Sequence, residues 1–218
     1  MPNTVLSAQH SKRVEPNVER FETPNGSSRR QAILDASARL FSDQGFSGTT
    51  IRQIAEHTNI ESGSLYYHFR SKKEILQEIL MFAISTTDHR VRATVAELPE
   101  GTSPRQKVEA ALRAHLQALH DHIEYTSTNS RYSGQIPAAV HILVQPHRQK
   151  YSDFWQELLR QAQEDGAINE DLNLSLLRPL ILGTLNHTME WYDAKRGDID
   201  ALFGIIKVMI SGIWNVAD

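Results

Sequence analysis

Residues 49–74, Thr-Thr-Ile-Arg-Gln-Ile-Ala-Glu-His-Thr-Asn-Ile-Glu-Ser-Gly-Ser-Leu-Tyr-Tyr-His-Phe-Arg-Ser-Lys-Lys-Glu, leave the chain little choice of local fold. Thr50 followed by Gln53 is a capping-box pattern, and Ser71 with Glu74 repeats it. Between the two starts, Ile51, Ile54 and Ala55 give one apolar helical face. Thr58-Asn59 are turn residues, and Ile60 can plug the corner behind them. Ser62-Gly63-Ser64 then opens a second short helix, with Leu65 and Phe69 four apart on its inner side. Two short helices, a tight turn between them and a third helix starting at once make a helix-turn-helix.

The residues left outside have a chemical logic. A recognition helix needs short donors near its start, so that its backbone can approach base edges in the major groove. Ser62, Gly63 and Ser64 fit that need, and Tyr67, His68 and Lys72 can reach phosphates. Lys72 also stands at a helix N-terminus, where backbone N–H groups favour an anion. Arg52 on the preceding helix can reach a guanine edge or a phosphate. The competing account, three packed helices with no DNA role, explains the paired exposed tyrosines poorly.

Residues 29–76 resemble the DNA-binding domain of the TetR family of bacterial transcriptional regulators. The resemblance is carried by Ile33-Leu34-Asp35-Ala36 with Leu40-Phe41, Gly45-Phe46, Thr49-Thr50, Ile54-Ala55, Ser64-Leu65-Tyr66-Tyr67-His68-Phe69 and Ser71-Lys72. It implies an all-α chain: an N-terminal three-helix helix-turn-helix domain, then a C-terminal helical ligand-binding and dimerisation domain. It also implies DNA contacts at Thr49, Thr50, Arg52, Ser62, Gly63, Ser64, Tyr66, Tyr67, His68 and Lys72. The expected division is a flexible N-terminal arm at 1–27, the DNA-binding domain at 28–75, and an effector-binding and dimerisation domain at 76–218.

Composition narrows the remaining choices. The 218 residues contain no cysteine, which removes disulfides, thiolate metal sites and cysteine nucleophiles. No apolar run is long enough to span a bilayer, and the polar N-terminus lacks a secretory signal's apolar stretch. A cytoplasmic, nucleoid-associated protein without a membrane partner is therefore expected. Residues 28–80 carry seven Lys/Arg against six Asp/Glu, and residues 81–218 thirteen against seventeen. DNA binding would thus depend on a few placed groups rather than a broad basic field. In the arm, Lys12, Arg13 and Arg20 are offset by Glu15, Glu19 and Glu22, whereas Arg29 and Arg30 lie where the first helix begins.

Along the chain, the first helix is expected over 28–44, capped by Gly45 in a left-handed conformation. A long helix follows Ser71 to about Ala96, with Ile75, Ile79, Phe82 and Ala83 inward. Leu98-Pro99-Glu100-Gly101-Thr102 is a loop, and Ser103 with Pro104 starts the next helix. A short helix is expected over 138–144, ended before Pro146, and another from Pro146 to about Asp165 with Gly166 behind it. The last two helices, 174–192 and 198–216, are the most apolar, and they predict a homodimer formed as an intermolecular four-helix bundle.

The C-terminal domain's effector pocket is expected among Phe82, His115, Leu119, Arg131, Tyr132, His141, Arg148, Tyr151, Trp155, His187 and Trp191, where Arg148 can meet an anionic group. Residues 147–171, with Trp155, Leu158-Leu159, Glu164-Asp165-Gly166 and Asp171-Leu172, resemble TetR-like regulators that answer to acyl-CoA thioesters. That resemblance implies an acyl-CoA or other apolar acid as effector, with a drug or aromatic inducer nearly as good a fit.

No metal or cofactor is expected. His120 and His122 point to different faces of a helix, and no His-Glu-x-x-His occurs. No nucleophile, base and acid can be placed together, so an enzyme is not expected. The reading is a ligand-responsive DNA-binding regulator, most commonly a repressor in this family. Its rivals are a helical carrier or enzyme without DNA affinity, and a DNA-binding protein of the same fold that ignores effectors.

Overall fold

The computed structural model describes residues 28–131 and 133–215, and the arm at 1–27 lies outside them. Helix α1 (Ser28–Gly48) is broken at Gly45, whose φ of 80° takes the chain out of the helical region. Gly45 interrupts the helix as expected, but its ψ of 162° lies outside the left-handed helical region, and a further turn follows it. Helix α2 (Ile51–His57) starts at Thr50, and the capping box with Gln53 is complete: Gln53 N donates to Thr50 Oγ1 at 3.2 Å and Thr50 N to Gln53 Oε1 at 2.8 Å. Asn59, at φ 53°, makes the turn. Helix α3 (Ser62–His68) runs one residue short of Phe69, and α4 (Lys72–Ala96) begins at Ser71, whose hydroxyl accepts from Glu74 N. The Glu74 carboxylate accepts from Arg70 N rather than Ser71 N, so the second box is displaced by one residue.

Helix α5 (Pro104–Asp121) has the expected Ser103 cap and leading proline, and Gln106 completes a capping box with Ser103. Helix α6 (Ile123–Arg131) is short and polar, and packs along α1 and α4. Helix α7 (Ala138–Glu164) corrects the expectation of two helices, because it passes straight through Pro146. Proline removes the N–H that Ile142 O would accept. Pro146 and Ile142 are both exposed, so water can satisfy that carbonyl, while Val140 and Val144 stay buried on the opposite side. The packing of the inner face outweighs one lost bond on the outer face.

Helix α8 (Leu174–Trp191) likewise holds Pro179 within it. Helix α9 (Ile199–Met209) is much shorter than the expected 198–216. Residues Ser211–Ile213 form a 3-10 turn, and Trp214 folds back as an isolated bridge to Ile168. Asn215 N donates to Ala167 O and Asn169 N to Ile213 O, both at 3.0 Å.

Two apolar clusters organise the described residues. One joins α1–α4 and takes in Tyr125 of α6 with Val140 and Val144 of α7. The other joins α5, α7, α8 and α9 around Leu112, Leu116, Trp155, Leu159 and Leu185. Helix α4 contributes to both, through Ile75 to Ile84 at one end and Val91 at the other. The head's core therefore runs past residue 75, and α4 is packed into both clusters.

Candidate nucleic-acid interface

Leu65 and Phe69 are buried at 0% and 1% exposure and seat α3 on the head. Burial of each contributes about 2–3 kcal/mol, enough to fix which face of so short a helix points out. That outer face is Ser62, Gly63, Ser64, Tyr66 and Tyr67, all exposed, with Tyr67 at 90%. The Tyr67 and His68 rings meet edge to face, with centroids 5.3 Å apart. A Cβ built at Gly63 would meet nothing within 4 Å, so the fold itself does not require glycine there. On α2, Arg52 is exposed and donates to Glu56 Oε1 at 2.8 Å, which leaves its other guanidinium nitrogens outward. Thr50 is exposed at the helix start.

Two residues expected at this interface sit elsewhere. Thr49 is wholly buried, and its hydroxyl donates to Gly45 O at 2.8 Å, so its side chain presents nothing to DNA. Lys72 turns inward: Nζ donates to Phe46 O at 2.7 Å and Thr49 O at 2.5 Å, and stands 4.3 Å from the Phe46 ring centroid. Desolvation lowers its pKa. Lys72 thus fastens the loop between α1 and α2 to the start of α4. The reason for both is the same: the chain turns sharply after Gly45, its carbonyls need donors, and the nearest are Thr49 and Lys72. Arg30 is also engaged by its own fold, paired with Glu78 and 4.5 Å over the Phe69 ring, whereas Arg29 is exposed.

The residues expected around an effector separate into three places. His115 and Leu119 of α5 and Trp155 of α7 are buried in the body with Tyr151 partly buried beside them, and the His115, Tyr151 and Trp155 rings have centroids about 6 Å apart. Arg148, one turn earlier on α7, is half-buried, and burial lowers its pKa. Phe82 sits in another ring group, against Tyr125 and His122. His187 and Trp191 correct the expectation, because they lie on the outward face of α8 in line with exposed Leu176 and Leu180. His141 is exposed on α7, and Tyr132 and the Arg131 side chain lie outside the described residues.

The sequence did not point to Asn186. Its Oδ1 lies 3.1 Å from His115 Nε2, and His115 Nδ1 lies 2.7 Å from the Tyr151 hydroxyl. Only the crossing of α5, α7 and α8 brings these three together.

Burial lowers the His115 pKa from 6.5 to about 4. The folded protein thus resists a proton that the unfolded chain accepts. Stability is full above the unfolded value and falls as pH drops from about 6.5 towards 4. His115 alone should remove about 1 kcal/mol between pH 7 and pH 5.5. His120 and His122, also lowered by burial, act in the same direction. Urea titrations at the two pH values check this: His115→Gln should lose less stability on acidification than the parent. An equal loss would remove His115 as a source.

Comparison with known proteins agrees with this architecture. A profile described as bacterial regulatory proteins, tetR family, matches residues 33–79, and one described as tetracyclin repressor-like, C-terminal domain, matches residues 101–201. The HTH-type transcriptional repressor KstR2 of Mycolicibacterium smegmatis is 28% identical over 173 residues, covering 78% of this chain and 83% of the relative. The solved ketosteroid transcriptional regulator KstR2 of Mycobacterium tuberculosis shares the fold at a TM-score of 0.77 and 23% identity, covering 88% and 98%. AibR, solved in complex with isovaleryl coenzyme A and operator DNA, does so at 0.74 and 21%, covering 83% and 97%. The chain belongs to the TetR family of bacterial regulatory proteins and is a helix-turn-helix, DNA-binding transcriptional regulator.

Proposed function

We propose that the protein is a cytoplasmic homodimeric repressor that leaves its operator when a small apolar effector, such as an acyl-CoA thioester, binds the body. The observation that carries the DNA half of this reading is the outer face of α3, where Ser62, Gly63, Ser64, Tyr66 and Tyr67 are exposed to solvent. With Thr50, Arg52 and His68 they form one surface of short donors flanked by longer ones. No described helix is long and apolar enough to cross a membrane.

The dimer half rests on α8 and α9. Leu176, Leu180, Trp191, Ile205, Val208 and Met209 are between 49% and 73% exposed. Gly183 lies on the same side of α8, where a Cβ would meet nothing in this chain. A second copy turned by a two-fold axis would cover this face and set two α3 helices for two half-sites.

Release is a population shift: the effector must bind the state that does not fit DNA more tightly than the state that does. The KstR2 relatives are repressors by name, and AibR was solved with an acyl-CoA and operator DNA, which supports an acyl-CoA class of effector. Arg148 of α7 suits the anionic end of such a molecule.

The test is fluorescence anisotropy of a labelled duplex from upstream of this protein's gene, against a scrambled duplex at two salt concentrations. Sequence-selective, salt-sensitive binding is expected. Gly63→Ala separates fold from contact. Exchanging Gly for Ala in a helix with free space should stabilise the head by up to about 1 kcal/mol. Operator affinity should nevertheless fall about tenfold, because the methyl keeps the backbone from the bases. Affinity that holds or rises with stability would place the DNA elsewhere.

A further inference from the structure

We propose that residues 14–22 of the N-terminal arm dock in the groove between the start of α4 and the start of α7, and so strap the head to the body. One wall of this groove comes from α7, where Ala139 and Leu143 are exposed beside the buried Val140. The other wall is the corner from α3 into α4, and it is charged: Arg70 and Lys73 with Glu74 and Glu78. The two acids are already engaged. Glu74 accepts from Arg70 N, and Glu78 is paired with Arg30. Arg70 and Lys73 are exposed, and neither forms an ion pair among the described residues. An apolar edge facing two uncommitted cations suits an occupant that is apolar on one side and acidic on the next.

The arm's own sequence has that pattern. Val14, Val18 and Phe21 recur at i, i+4 and i+7, and Glu15, Glu19 and Glu22 recur at the same spacing one residue later. On a helix the two rows would lie side by side, about 100° apart. Pro16 falls in the first turn of such a segment, where proline is tolerated. Arg20, the one cation between Val14 and Glu22, falls on the far side from the apolar row.

The arm also joins the fold at the right place. Arg30, in the first turn of α1, is paired with Glu78, so the chain enters α1 at the groove's rim. Pro24-Asn25-Gly26, just ahead of Ser28, is a turn sequence that can reverse the chain toward the groove. From Ser28 back to Phe21 the chain spans up to about 23 Å, well beyond the roughly 10 Å between the axes of packed helices. Val18 and Phe21 would then cover Ala139 and Leu143, while Glu19 and Glu22 approach Arg70 and Lys73. Because α4 packs into both clusters, a strap from its first turn to α7 adds a second hold between head and body.

The chain has no cysteine, so an introduced pair reports on its own approach alone. Full-length protein carrying Ala139→Cys receives a second cysteine in the arm: Val18→Cys or Phe21→Cys on the apolar row, Arg20→Cys or Thr23→Cys on the opposite side. The four tethers to α1 are of similar length, so an undocked arm would give the four pairs similar rates. Under mild oxidation, read by non-reducing mass spectrometry, the Val18→Cys and Phe21→Cys pairs are expected to close within one chain at least about tenfold faster than the other two. Glu19→Lys with Glu22→Lys should slow the Val18→Cys pair, and adding Arg70→Glu with Lys73→Glu should restore it. Equal rates at all four arm positions would overturn the proposal and leave the groove to a different partner. A disulfide that joins two chains would also overturn it and give the groove to a second copy. Charge reversals without effect would overturn the placement of the acidic row. The assay contains no DNA and no effector, so its outcome is independent of the repressor reading.

Discussion

A chain carrying Leu180→Glu and Val208→Glu is expected to sediment as a folded monomer and to lose operator binding almost entirely. Both side chains are among the most exposed apolar groups described, at 69% and 73%, so neither change disturbs the chain's own core. In a two-fold interface each substitution appears twice, and four carboxylates would be buried close to like charges. Desolvating an unpaired carboxylate costs several kcal/mol. Even about 4 kcal/mol in total weakens dimerisation about a thousandfold. A monomer then meets one half-site alone and forfeits the gain from tethering two heads. Analytical ultracentrifugation and anisotropy on the same samples check both consequences. A variant that remains dimeric would move the interface away from α8 and α9.

Replacing Lys72 should cost the head its fold rather than merely a phosphate contact. Lys72→Met keeps the apolar stem against Phe46 but removes the ammonium that Phe46 O and Thr49 O share. Two charge-assisted bonds and a cation–π contact are lost. Lys72 is partly exposed, so water takes up part of the loss, and a destabilisation of about 1–3 kcal/mol is expected. Hydrogen exchange should report it at residues 45–50 before α4 is affected, and operator affinity should fall in step. Full protection of those amides with a selective loss of DNA binding would return Lys72 to the phosphate role the sequence suggested. By contrast, Tyr67→Ala removes a side chain that packs on almost nothing and tests contact without this complication.

The start of a helix was legible where a side chain caps it. Thr50 with Gln53, and Ser103 with Pro104 and Gln106, cap as their order in the sequence implies, because a cap is settled within four residues. The buried pair Leu65 and Phe69, and with it the outward face of α3, followed from spacing alone. Where helices end was less legible. Proline at 146 reads as a stop, yet α7 continues because its inner face is already committed to the core. The apolar run after Met209 reads as more helix, yet Trp214 gains more by closing on Ile168.

The sequence by itself determined the helical class, the helix-turn-helix and the polar face of its second helix, because caps, turns and apolar spacing act over one or two turns of chain. Only the tertiary structure decided that Thr49 and Lys72 serve the head's own loop, that His187 and Trp191 face outward, and that His115, Tyr151, Trp155 and Asn186 meet where α5, α7 and α8 cross. The physical reason is distance along the chain. A side chain's partner across a helix crossing is chosen by how three helices pack, and no pattern within any one of them records it.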